Sequence, residues 1–91
     1  MAETTNWTKF FKGWPEQVPR KGIVTDTHGE ANPFKSFLLS GDMVLFERSN
    51  PDALGARFIM LGFEAISAVK ITEPLRVDAF HAMGFEGTLS A

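Results

Sequence analysis

Two short runs constrain this chain most: Met43-Val44-Leu45-Phe46 and Phe58-Ile59-Met60-Leu61, each four consecutive apolar residues lying between turn-forming segments. Neither run reaches the length of a buried helix, and both are built from residues that suit strands. Successive strand side chains point to opposite faces, so such strands are apolar on both sides and need cover on both. The chain's own core can cover one face. The other calls for a second layer, from a helix of the same chain or from a partner subunit.

The remaining sequence supplies the elements around these strands. Trp7, Phe10, Phe11 and Trp14 fall at i, i+3, i+4 and i+7, one face of a helix, with Asn6 as N-cap and Gly13 and Pro15 as the stop. This stripe is read as the face that seats the helix on its own sheet. Its polar side offers only Lys9 and Lys12, too little positive charge for a membrane-surface helix. Residues 15–21 form a connector in which Arg20 and Lys21 are solvated. Five strands are expected at 22–28, 34–39, 43–48, 57–61 and 66–71, separated by the turn segments "GEANP", "SGD", "SNPDALGA" and "GFEA". Thr72, Glu73 and Pro74 open a short C-terminal helix with Val77, Phe80 and Met83 on its apolar face and Gly84 at its end. The expectation is one domain over residues 1–91: helix and connector at 1–21, strands at 22–71, helix and tail at 72–91.

Composition narrows the function classes. Hydrophobic residues at 44% and charged residues at 22% are globular usage, far from that of a disordered chain. Cysteine is absent, which rules out disulfides and thiolate chemistry and permits an intracellular location. No apolar run approaches membrane-spanning length, and the N-terminus lacks a basic region followed by an apolar stretch, so the chain is read as soluble and cytoplasmic, with no membrane role. A net charge of −2 gives no general attraction for polyanions.

Asp26, His28 and Glu30, at i, i+2 and i+4, would share one face of an unbroken strand, in the manner of a metal site. Gly29 interrupts that strand, and the only other histidine, His81, lies in a different element, so the triplet is read as a polar strand end. Asn50, Asp52 and Gly55 lack the ligand spacing of a calcium loop. No phosphate loop, nucleophile elbow or acid–base pair can be assembled. No catalytic residue, metal, cofactor or small-molecule substrate is therefore expected.

The 35 residues from Phe37 to Ile71 resemble the Sm-like family of small β-barrels. Leu39, Ser40, Met43 and Val44 align with that family's F-D-x-x-M-N pattern, and Leu61-Gly62 with its later R-G pair. The resemblance implies a small five-stranded, strongly bent Sm-like or SH3-like barrel, mainly β, with short N-terminal and C-terminal helices, and a ring of identical subunits. Such rings pair the fourth strand of one subunit with the fifth of the next. The implied interface is Arg57, Phe58, Ile59, Met60 and Leu61 against Ser67, Ala68, Val69, Lys70 and Ile71. The residues that hold a base in RNA-binding members are replaced here by Ser40, Val44 and Leu61, which offer neither the polar edges nor the planar cation. The leading expectation is thus a nonenzymatic, self-assembling module. The alternative is a single-stranded nucleic-acid binder with a rearranged site made of Arg48, Arg57, Phe63 and Lys70.

Overall fold

The computed structural model describes residues 6–89. A short helix α1 (Asn6–Lys12) precedes five strands, β1 (Gly22–Asp26), β2 (Ala31–Ser40), β3 (Met43–Arg48), β4 (Phe58–Gly62) and β5 (Ile66–Ile71), and a second short helix α2 (Val77–Ala82) follows. All neighbours are antiparallel, and the spatial order is β4-β3-β2-β1-β5. The protein is therefore mainly β, as expected, in one five-stranded sheet that does not close. β4 and β5 are its two edges.

Connectivity forces that sheet to curl. Laid flat, edges four strand spacings apart would be separated by about 19 Å. The link between them is a single 3-10 turn, Phe63–Ala65. From Gly62 to Ile66 a fully extended chain reaches only about 13–14 Å, and a 3-10 turn less. The edges must therefore approach each other. The concave side this creates holds the core.

That core is mainly aromatic. Phe11, Trp14, Phe34, Phe37, Phe46 and Phe63 are buried together with Val18, Val24, Val44 and Ile66. Phe11 of α1 sits at its centre, with ring centroids 5.0 Å from Phe37, 5.6 Å from Phe46 and 6.0 Å from Phe63, and it stacks on Trp14 at 6.1 Å. The edge-to-face contacts, those with Phe37 and Phe46, stabilise beyond simple burial. The Trp14 indole donates to the Val18 carbonyl at 3.0 Å, which fixes the chain leaving the helix. Arg20 then reaches back, donating to the Phe37 carbonyl at 3.0 Å with its guanidinium 4.4 Å from the Phe37 ring centre.

Two register slips set which side chains face inward. Between Phe34 and Ser36 the β2–β3 register shifts by one residue, so Asn32, Phe34, Phe37 and Leu39 all face the core although the middle pair is three apart. A second slip, between Thr25 and Asp26 on the β1–β5 ladder, lets Ile66, Val69 and Ile71 share the inner face. Gly22 is required on β1, because a Cβ there would press into the Lys70 carbonyl oxygen of β5.

Several boundaries differ from the sequence expectation. β2 begins at Ala31, inside the segment read as a turn, because Asn32 is buried with its side-chain oxygen accepting from Arg48 Nη1. β4 begins at Phe58 and runs to Gly62, so Arg57 lies outside it, its carbonyl accepting from the Arg48 N–H at 2.9 Å. Asn6, expected as an N-cap, is already helical. Helix α2 starts only at Val77; before it, Glu73 pairs with Lys21 at 2.9 Å and its carbonyl accepts from the Leu75 N–H at 2.8 Å.

The Asp26–Glu30 segment is a turn, because β1 ends at Asp26. Asp26 Oδ1 accepts from the N–H groups of His28 at 2.9 Å and Glu30 at 3.0 Å, and Gly29 takes a φ of 85°, so the three side chains share no strand face. Asp52 repeats the arrangement in the loop before β4: it accepts from Leu54 and Ala56, both at 2.8 Å, with Gly55 at a φ of 88°. In both turns the Gly N–H donates to the Asp carbonyl and the Asp N–H to the carbonyl four residues on. "DTHGE" and "DALGA" are thus one local solution used twice, a short acceptor followed by the left-handed residue the turn needs.

This assignment separates two substitutions. His28→Ala is expected to change stability by less than about 0.5 kcal/mol, while Asp26→Ala removes the one oxygen that accepts both hydrogen bonds and is expected to cost about 1 kcal/mol, both read from denaturant midpoints. In the second turn, the Ala56 and Leu54 N–H groups, with a smaller contribution from the Arg48 charge, hold the Asp52 carboxyl below its ordinary value of 3.8. A lowered native value means the ionised form is the one the turn favours. Its contribution is complete above the ordinary value and is lost as pH falls through the lowered one. Carboxyl chemical shifts followed through acid titration are expected to show Asp52 protonating later than a free aspartate.

Candidate assembly site

β4 is hydrogen-bonded only to β3, and β5 only to β1, so among the described residues each leaves one side of its backbone without a strand partner. The two edges differ in chemistry. β5 carries Lys70 and an irregularity near Ser67, both of which discourage indiscriminate pairing. β4 reads Phe-Ile-Met-Leu-Gly, with no charge, no proline and no bulge. An edge of that composition is a template for another strand.

The ladder assigns its faces. Ile59 pairs with Phe46 and Leu61 with Val44, whose side chains are buried, so Ile59 and Leu61 point inward. Phe58 and Met60 point outward and are 55% and 62% exposed. Leu38, Leu45 and Met60 stand opposite one another on β2, β3 and β4, giving an apolar row across the outer face, with Leu38 64% exposed. Two-sided apolar character was visible in the sequence. The orientation was not, because an unbroken apolar run has no alternation to read.

No family model, curated protein or solved structure matches this chain. What the site can do therefore rests on its own geometry. On β5, Val69 and Ile71 face inward and pack at the margin of the core, while Lys70 is exposed opposite Ile23. Beyond them lies an apolar groove of about 440 Å³, walled by Trp7 and Phe10 of α1, Val69 and Ile71 of β5, and Phe80 and Phe85 from α2 and the segment after it. His81 also lines it, its Nε2 2.6 Å from the Gly87 carbonyl oxygen. The sequence presents Trp7, Phe10, Phe11 and Trp14 as one helical stripe, but α1 ends at Lys12 and Trp14 lies beyond it. They divide: Phe11 and Trp14 are in the core, whereas Trp7 and Phe10 line the groove.

Of the residues considered for nucleic-acid contact, Arg48 and Arg57 are neighbours, the Arg48 N–H donating to the Arg57 carbonyl, whereas Phe63 lies in the core and Lys70 on β5. Phe63 is 1% exposed in the core, so its ring offers no face to a base; the loop expected to present it is a 3-10 turn that packs inward. Arg48 is engaged with Asn32 and with the Asn50 carbonyl. Arg57 precedes β4 and Lys70 lies near the end of β5, both remote from the turn that joins the two strands. Val44 is buried and Leu61 packs against the core, so neither presents a side chain where a base pocket would need one. Among the described residues, no three His, Asp or Glu groups come together as metal ligands, and no helix is long and apolar enough to cross a membrane.

Proposed function

We propose that this chain is a nonenzymatic, Sm-like assembly module, which pairs the β4 edge of one copy with the β5 edge of the next to build a closed homo-oligomer. The observation that carries this reading is β4 itself, an uncharged edge strand that exposes Phe58 and Met60 and has nothing that would keep a second strand away. Pairing two different edges is head-to-tail, so the same contact repeats from copy to copy and forms a ring when the rotation between neighbours closes. The residues used are Phe58, Ile59, Met60 and Leu61 on one side and Ser67, Ala68, Val69, Lys70 and Ile71 on the other; Arg57 flanks the pairing instead of joining it. Light scattering after size exclusion, over a wide concentration range, tests the proposal. One discrete mass, a multiple of the chain's 10.1 kDa, is expected. A strict monomer at high micromolar concentration overturns it.

A further inference from the structure

The edge pairing just proposed has a geometric consequence, which rests on that reading. β4 and β5 are separated by four antiparallel steps in the order β4-β3-β2-β1-β5 and therefore run in the same direction. To lay its β4 antiparallel to β5 while continuing the same strand order, a second copy must be turned over about the axis that crosses the strands. That rotation reverses strand direction and also exchanges the faces of the sheet. The outward face of the incoming β4 thus lies on the same side as the inward face of β5.

The inward face of β5 is Val69 and Ile71, one wall of the apolar groove against α1 and α2. We propose that this groove is the receptor for Phe58 and Met60 of the adjoining copy. Both side chains are uncharged and more than half exposed, which suits a groove whose walls are Trp7, Phe10, Phe80 and Phe85. They are also the only β4 side chains free to enter it, because Ile59 and Leu61 are committed to their own core. A parallel approach would keep the faces unchanged and direct that committed pair at the groove. The antiparallel approach directs the free pair there, and it matches every other ladder in the sheet. Inserting both side chains adds apolar burial to the backbone pairing, at a groove size ordinary for a compact apolar occupant. α1 and α2 then have a role beyond covering the core, since together they shape the acceptor side of the contact.

The chain has no cysteine, so engineered thiols report cleanly. Met60→Cys chains and Phe85→Cys chains are co-refolded, sized by light scattering, and treated with a short bis-maleimide. A covalent dimer is expected from the mixture and almost none from either variant alone, because the contact joins two different surfaces. If Met60→Cys by itself drops to single-chain mass, the dependence on that side chain is already shown, and the mixture is repeated with Phe58→Cys to place the partner residue. An assembled protein that cross-links in the single-variant samples but not in the mixture overturns the groove assignment and leaves assembly standing. So does an assembled, uncross-linked mixture whose groove is found by native mass spectrometry to hold a copurified apolar small molecule. A monomeric parent overturns the edge pairing on which the assignment rests.

Discussion

Phe11→Ala is expected to destabilise the protein by about 3–5 kcal/mol, the usual cost of removing a fully buried ring. Phe11 has no exposed surface and contacts rings from α1, the segment after it, β2, β3 and the 3-10 turn. Its loss leaves a void bounded by several elements that cannot all move in together, so little of the cavity closes. Small domains retain only about 5–15 kcal/mol of net stability, and the variant should be substantially unfolded at mild denaturant concentrations. Phe10→Ala, one position earlier, removes a half-buried ring from the groove and should cost clearly less. Comparing the two denaturant midpoints checks the assignment. Equal shifts would mean that Phe11 is not the centre of the core.

The second large effect separates two neighbours on β4. Ile59→Lys puts a charge on the face that packs against Phe46 and removes an inward aliphatic chain, and is expected to cost about 2–5 kcal/mol of folding stability. Met60→Lys puts the same charge on the exposed face, where surface substitutions usually change stability by less than about 0.5 kcal/mol. Its effect falls on assembly: a lysine brought into an apolar groove must be desolvated, and the product should be a folded single chain. Circular dichroism and light scattering on the same samples distinguish these outcomes. If both variants kept the parent's mass and melting behaviour, β4 would not be an interface.

The existence of all five strands and both helices could be read from apolar periodicity and turn residues, since these are local signals. Met43–Arg48 and Ile66–Ile71 fall where the pattern places them. Misplaced boundaries arose where a tertiary contact outweighs local preference. Ala31–Pro33 reads as turn chemistry but is strand, because a buried Asn32 bonded to Arg48 and a ladder to β1 satisfy the backbone there. Phe63 reads as a loop aromatic because its neighbours are Gly62 and Glu64; only the curl of the sheet makes that turn face inward. The faces of β4 could not be read at all, since a run apolar at every position carries no period. The repeated Asp-x-x-Gly turn was legible in principle as a five-residue pattern. It is hidden because the intervening residues, Thr-His and Ala-Leu, have nothing in common.

The register slip at Lys35 decides where β2 can change in length. Asn32 and Phe34 are in phase with each other, as are Phe37 and Leu39, but the two pairs stand an odd number of residues apart and share a face only because the ladder absorbs one residue between them. Deleting Lys35 would set Phe37 two positions after Phe34, remove the slip and leave β2 on one continuous register with β3, with the same side chains facing the core. One residue inserted between Phe37 and Leu39, where no slip absorbs it, would instead turn Leu39 outward. Among relatives of this chain, positions 35–36 are therefore where a single-residue gap can fall inside β2 without moving a core side chain.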